Sequence, residues 1–564
     1  MKIPNLWGQG QLFAFSALDG KAVMGDDFAG MLSGDRIGIK FYSAVRRELA
    51  IVGHQVDDLV FNAVCGDWIS ADTPKGSIKI IYYNTHLVIG QVCETAMPVV
   101  FVEGKYDREF LGNIEVQDTK DGEFTALLQE GNKFAFAFGS TKEWVIEKVK
   151  EGIRADIEKA EEIKKAYYEE NSIEGKYDLL YSKCLSVMKT QLYSPSAQYD
   201  RIFSTPDRLP HQHIWIWDSV FHAIGFRNVN PEIAEDLILA VFCNQRESGF
   251  IPCRSANGFD HPMTSKETQS PIIAWGAWLV YEVTKNKEFL KKVFEYNTKF
   301  LDWCYKNRMK RDDLFQWYVV ETNLLCRCGE SGMDNSPRFD DAAYLLAIDF
   351  SCFMANEMRF MSKIAGEIGV DTVKYDDAYE KMKASINNTL WDEETGFYYD
   401  YDTEKERLHK VKSVASFLPL FAGVCDGDKG KKLVEHLTNP NEFWTEVPIP
   451  SISVDDAAYG VDMWKGPVWL NFNYMIAQGL SEYGFEDVSK DVLKKTLDVV
   501  EEWYKKKGVI FEFYDSANKI EPNKLKRKGE PIEPYNIDVR VQTIRDYGWS
   551  VCLTCDIIKK CVKK

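Results

Sequence analysis

The 564-residue sequence predicts a mostly helical protein with an N-terminal β domain, an antiparallel β-sandwich followed by an (α/α)6 barrel. Three observations lead there. Residues 1–139 hold short β-branched or aromatic runs, none of helical length. Residues 140–174 switch abruptly to a charged, helical period. From 175 to 564 roughly a dozen helical segments follow without any repeating strand–helix unit, as six paired hairpins would give.

The elements follow in order. The runs I-G-I-K-F-Y, S-I-K-I-I-Y-Y-N, M-P-V-V-F-V-E and K-F-A-F-A-F are punctuated by Gly, Asp and Asn, the pattern of sandwich strands joined by turns. Ser140-x-x-Glu143 reads as a capping box. Val145, Val149, Ile153, Ile157 and Ala160 then recur at helical spacing, so 140–174 is expected to be a helical linker and 175–564 the barrel. Within the barrel half, Ser336 and Pro337 read as the N-cap and first position of a helix running on through D-D-A-A-Y-L-L-A-I-D-F. The basic run K-L-K-R-K at 524–528 reads as a solvated loop.

Composition removes several classes of function. With 69 basic against 86 acidic residues the formal charge is −17, which argues against nucleic acid or anionic membranes as partners. No apolar run is long enough to span a bilayer. The start M-K-I-P-N-L-W-G-Q-G-Q has no apolar h-region, so no secretion signal is expected. Thirteen scattered cysteines, an odd number, point to a reducing, cytoplasmic setting. Cys326-x-Cys328 and Cys552-x-x-Cys555 lack a second pair at zinc-site spacing, so neither metal nor cofactor is expected; a structural calcium and the oligomeric state are not legible.

What stands out is the placement of aromatics and acids. H-Q-H-I-W-I-W-D-S-V-F-H at 211–222 sets Trp215, Trp217 and Asp218 together, flat apolar faces beside a carboxylate. Sugars need that combination, because C–H faces stack on indoles while acids accept hydroxyl hydrogen bonds. Gln269 opens T-Q-S-P-I-I-A-W-G-A-W, and Trp464, Lys465, Gly466, Trp469 and Asn473 fall within M-W-K-G-P-V-W-L-N-F-N-Y. Glu512 and Asp515 interrupt the apolar run V-I-F-E-F-Y-D. In C-G-E-S-G-M-D-N-S-P-R-F, Glu330 and Asp334 lie in a glycine-rich loop, where reactive groups are often carried, and Arg338 follows at the start of the expected helix. Each stretch alone has a plain reading: a Trp-rich run is core, and a loop acid caps a helix. Together they describe a pocket lined by Trp and holding two carboxylates, Asp334 and Glu512. Acetal hydrolysis requires such a pair, one acid for the leaving oxygen and the other for water or the anomeric carbon.

In W-D-S-V-F-H, T-Q-S-P-I-I-A-W, E-S-G-M-D-N-S-P-R, W-K-G-P-V-W-L-N-F-N-Y, F-E-F-Y-D and D-Y-G-W-S, the chain resembles glycoside hydrolase family sixty-three over about 200–552. That family includes mannosyl-oligosaccharide glucosidases and the mannosylglycerate and glucosylglycerate hydrolases, and is related in fold to trehalases. The resemblance implies an (α/α)6 barrel, inversion at the anomeric carbon, Asp334 as general acid and Glu512 as base. It adds Trp549, from D-Y-G-W-S, to the substrate contacts Trp215, Trp217, Asp218, Gln269, Glu330, Arg338, Trp464, Lys465, Gly466, Trp469 and Asn473. Lys465 and Phe513 depart from the family pattern, and so does the stretch 516–546, which bears on the leaving-group side. The expectation is an exo-acting inverting α-glycosidase releasing a terminal sugar, glucose first, from a small glycoside or oligosaccharide. An α-mannosidase or glycosylglycerate hydrolase, and a sugar-binding protein without catalysis, stay open as alternatives.

Overall fold

The computed structural model describes residues 12–13, 28–33, 36–42, 46–55, 58–84, 86–102, 104–120, 124–193, 195, 198–207, 210–211, 213–255, 266–532 and 539–562. The opening stretch 1–11, read for a secretion signal, and 533–538 within 516–546 lie outside the described residues. Two compact units are present, Met1–Ser196 with Trp503–Val509, and Ala197–Glu502 with Ile510–Lys564.

The first unit is built on two antiparallel sheets. One joins Leu12–Phe13, Phe28–Ser33, Arg36–Tyr42, Arg46–Val52 and Met97–Val102 in that order. The other has eight strands and runs from Asp107–Leu111 through Lys133–Gly139 and Leu87–Gln91 to Val60–Val64 at its far edge. Its centre is apolar on both faces: Ala135, Phe136, Ala137, Ile80, Ile81 and Ile89 are all fully buried. Residues 140–174 do not form one linker helix. Thr141, not Ser140, stands at the N-cap of Lys142–Gly152, without a side-chain cap bond. A second helix, Ile157–Glu170, is capped by Asp156, which accepts from the Lys159 N–H. Both helices lie on the eight-stranded sheet. Helix Asp178–Thr190, expected to open the barrel, is grouped with this unit as well. Its Lys189 pairs at 2.7 Å with buried Asp67, which also accepts from the Tyr168 hydroxyl at 2.8 Å.

The second unit is the (α/α)6 barrel. Its inner helices are Ile216–Phe226, Ile273–Thr284, Ile348–Ile368, Leu418–Ala422 (extended backward by a 3-10 turn, Val414–Phe417), Leu470–Glu482 and Gly548–Val562. Each touches the next, and the last touches the first, closing a ring. Their composition explains the position: Ile216–Phe226 is buried at every residue, as a helix apolar all round must be. Five outer helices, Pro231–Ala240, Lys287–Arg308, Val373–Thr389, Gly427–Leu437 and Glu486–Lys507 (in this unit as far as Glu502), carry one apolar face and a charged one among the described residues. The helix expected from Ser336 is absent. Pro337–Phe339 makes a single 3-10 turn, Ser336 forms no side-chain cap, and the helix begins only at Ile348. The cause is Arg338, whose buried guanidinium bonds Asp349 at 2.7 and 2.9 Å and Asp400 at 2.8 Å through both Nε and Nη2, holding 338–349 in a loop around it.

Candidate active site

Every inner helix is entered from a loop, and the acids and indoles noted in the sequence sit on those entries. Trp215–Asp218 start the first inner helix, Gln269 precedes the second, Asp334 lies ahead of the third, Trp469 caps the fifth and Trp549 opens the sixth. Together with Glu512 these residues line a cavity of about 360 Å3, wholly within the barrel unit.

The wall is aromatic. Trp217 and Trp549 meet edge to face with centroids 5.2 Å apart, and Trp549 lies 5.7 Å from Trp469. Trp464 is stacked flat behind Trp469 at 3.9 Å, backing the wall without lining the cavity. The Gln269 side-chain Oε1 accepts the Trp217 backbone N–H at 3.0 Å and so fixes where that indole begins. Gly332 explains the glycine ahead of Asp334. Its φ is +74°, and a Cβ there would stand 2.2 Å from the Trp217 ring, so only glycine lets the loop close on the indole.

The two acids sit in different surroundings. Glu512 is almost fully buried in an extended run, where its N–H donates to the Ile544 carbonyl at 3.0 Å. Arg527 grips its carboxyl group with Nε at 2.6 Å and Nη2 at 3.0 Å, a bidentate pair that fixes its orientation. Arg527 is itself held by the Arg540 carbonyl, and its Nη2 lies 3.5 Å from His211, which bonds Asp207 at 2.6 Å. Asp334 is more open and meets one cation at one point, Lys528 Nζ at 2.6 Å from Oδ2. Asp218 lines the same cavity, near Glu512. Burial, and secondarily the charge of Glu512, push its carboxyl well above the usual carboxylate range. Tyr547 reaches Oδ1 at 3.5 Å, while Oδ2 has no protein partner among the described residues. A buried acid with an unfilled oxygen, set beside indole faces, is fitted to a sugar hydroxyl.

Of the residues singled out in sequence, Trp215, Trp217, Asp218, Gln269, Asp334, Trp469, Glu512 and Trp549 therefore meet in the cavity. Others do not line it. Glu330 accepts from the Thr268 and Tyr318 N–H groups at 2.7 and 2.6 Å and pairs with Arg308 at 2.6 Å, tying three loops together. Arg338 is fully engaged by Asp349 and Asp400. Lys465 pairs with Asp340 at 3.0 Å, and Asn473 donates to Pro448 and Thr496. Gly466, with φ +122°, permits a turn in which a Cβ would collide with the Gly460 carbonyl. Asp515 folds back on the Lys519 and Ile520 N–H groups, ordering its own turn.

The sequence reading missed the cations. Arg254, Arg527, Lys528 and Arg540 all line the cavity, and 524–528 is not a solvated loop. Leu525 is fully buried and Arg527 nearly so. The trace in sequence is alternation: Leu525 and Arg527, two apart, share the inward side of an extended run, while Lys524 and Lys526 face out. Among the described residues no group of three His, Cys, Asp or Glu side chains is arranged to hold a metal ion, and no helix is long and apolar enough to cross a membrane.

Comparison with known proteins agrees with this geometry. A Borreliella burgdorferi protein of no described function is 27% identical over 281 residues, 48% of this chain and 56% of its own length, so the chain spans little more than half of that relative. A mannosylglycerate hydrolase from Rubrobacter radiotolerans is 23% identical over 368 residues, covering 50% of this chain and 81% of that one. Among solved structures, a GH63 mannosylglycerate hydrolase from Thermus thermophilus in complex with Tris superposes with a TM-score of 0.56 at 21% identity, over 67% of this chain and 99% of that chain. The family model described as "Mannosylglycerate hydrolase MGH1-like glycoside hydrolase domain" matches residues 211–550, the span that holds every cavity-lining residue. The chain belongs to this family of glycoside hydrolases, within glycoside hydrolase family 63.

Proposed function

We propose that the protein hydrolyses the α-glycosidic bond of a small glycoside with inversion, Asp334 protonating the leaving oxygen and Glu512 taking a proton from the attacking water. The observation that carries this reading is the pair of acids on one Trp-walled cavity, one buried and gripped by both arms of Arg527, the other more open and paired with Lys528. Inverting hydrolysis needs two carboxyl groups in separate roles, and these two come from different loops with different neighbours. Trp217, Trp469 and Trp549 present faces for the terminal ring, and Asp218 offers its unfilled oxygen to a hydroxyl. A cavity of about 360 Å3 suits one sugar and a small leaving group and favours exo action. Glucose is the first choice of sugar. Mannose linked to glycerate is the second reading, favoured by cations at the cavity and by the activity named for the relatives. Acid–base chemistry is sufficient, with no cofactor, and the thirteen free cysteines favour a cytoplasmic setting.

Proton NMR on the first product from an α-linked substrate tests the stereochemistry. The β-anomer is expected before mutarotation; the α-anomer appearing first removes Glu512 from the role of base. Asp334→Asn and Glu512→Gln should each lower kcat/KM by ~10²–10⁴-fold. That is about 3–5 kcal/mol of barrier, and the losses should be less than additive because both serve one transition state.

A further inference from the structure

Asp207 and His211 are both buried, and His211 lines the cavity, yet neither has a part in the function proposed above. Asp207 commits both side-chain oxygens to His211. Its Oδ1 accepts the His211 backbone N–H at 2.8 Å, and its Oδ2 meets ring Nδ1 at 2.6 Å. Two aromatic neighbours stand steeply against the ring, Trp215 at 5.9 Å and Tyr547 at 6.4 Å between centroids. The remaining nitrogen, Nε2, faces Arg527 Nη2 at 3.5 Å. A guanidinium only donates, so Nε2 is the acceptor, and Nδ1 carries the ring proton that Asp207 accepts.

Glu512 depends on that arginine. Its carboxyl group is oriented by Arg527 Nε and Nη2, at 2.6 and 3.0 Å; the Ile544 N–H, at 3.4 Å, adds only a long contact. A long side chain can orient another only where its own rotamers are locked. Arg527 Nη1 donates to the Arg540 carbonyl, and Arg540 Nη2 in turn donates to the Pro210 carbonyl at 3.0 Å, next in the chain to His211. One Nη2 hydrogen goes to Glu512, and the second points at His211. Asp207, His211, Arg527 and Glu512 thus form one chain of contacts, each link holding the next.

Resting on the glycosidase reading above, we propose that Asp207 and His211 are positioning residues for the base: Asp207 sets the tautomer and angle of His211, His211 Nε2 holds Arg527, and Arg527 aims Glu512 at the attacking water. They act through Glu512 and not on the sugar. A base works only within hydrogen-bond reach of the proton it takes, and a displacement of about 1 Å can cost about 10²-fold in rate.

Two substitutions test this. In Asp207→Asn the amide oxygen is needed by the His211 backbone N–H, so the amide NH2 falls on Nδ1 and drives the ring proton to Nε2, donor against donor with Arg527. His211→Phe keeps a ring beside Trp215 and Tyr547 and removes the acceptor. Each should lower kcat by about 10–100-fold with KM within about twofold, and the double variant should match His211→Phe, because Asp207 acts only through His211. α-Glucosyl and α-mannosyl fluorides assign the loss, since fluoride departs with little help from an acid. Asp334→Asn should recover most of its loss on them, while Asp207→Asn and His211→Phe should keep theirs. Thermal unfolding of each variant accompanies the kinetics, and either variant decides alone where the other does not fold. Failure of both to fold, or folded variants with wild-type kcat, makes the pair a structural brace and overturns the proposal. A rise in KM alone makes His211 a sugar contact, and a loss that vanishes on the fluorides puts it on the acid side; each overturns the proposal and leaves the glycosidase reading standing. A wild type that cleaves neither the fluorides nor nitrophenyl α-glycosides removes both.

Discussion

Arg338 and Glu330 stand either side of Asp334 in the motif that resembles a substrate-binding signature, yet both are committed to the protein. Arg338 neutralises Asp349 and Asp400 at once, all three side chains being almost wholly buried. A planar fork serves two carboxylates; an ammonium is a point charge and cannot reproduce the four short bonds. Breaking a buried pair by removing one partner costs about 3–5 kcal/mol, because the partner charge stays buried. Arg338→Lys is therefore expected to lower Tm strongly while the folded fraction keeps its KM. A raised KM with an unmoved Tm would place Arg338 on the sugar instead. Glu330 has the same character. Its negative charge faces Arg308 and two backbone N–H groups, so its service to Asp334 is to hold the loop in place.

At the scale of elements, the inner helices are legible in sequence because burial on all sides leaves continuous apolar stretches such as I-A-W-G-A-W. The sandwich strands are legible because K-F-A-F-A-F cannot be helical and amphipathic at once. Glu512 is legible for a related reason: an acid between Phe511 and Phe513 has no solvated face to occupy. The 524–528 strap is not. Its charges match those of a surface loop, and what turns them inward is a long-range anchor on Asp462 and a backbone angle, neither written in local composition. Glu357 is a second element-level device. From helix Ile348–Ile368 it accepts the Ala274 N–H at 2.8 Å, the Trp275 N–H at 3.3 Å and an N–H of Asn297 Nδ2 at 2.7 Å, capping the inner helix Ile273–Thr284 from the side. Burial outweighs these bonds and raises its carboxyl from 4.5 to about 7. The folded state thus binds a proton that the unfolded state has lost between those values, so stability falls as pH rises through that window. At about 1.36 kcal/mol per unit the loss is on the order of 3 kcal/mol. Denaturant titrations from pH 4 to 8 should show wild type losing stability relative to Glu357→Gln across this range. A flat difference would mean the three N–H donors hold Glu357 ionised throughout.

At the scale of the whole molecule, two units with separate cores predict unfolding that is not two-state. Each unit carries a handle that leaves the other's core untouched. In the first, Lys189→Met leaves the buried Asp67 side chain with the Tyr168 hydroxyl alone among the described residues, a loss of about 3–5 kcal/mol confined to the sandwich and its helices. In the second, all lining residues of the cavity belong to the barrel, so a monosaccharide that binds there should stabilise that unit alone. At one hundred times Kd the gain is about 2.7 kcal/mol. Calorimetry should resolve two transitions, with a total enthalpy above the van't Hoff value of either. Lys189→Met should lower one of them and leave the other within a degree or so, while the monosaccharide raises the one that Lys189→Met spares. A single transition whose calorimetric and van't Hoff enthalpies agree, displaced by both the substitution and the sugar, would mean that the two units unfold as one cooperative body.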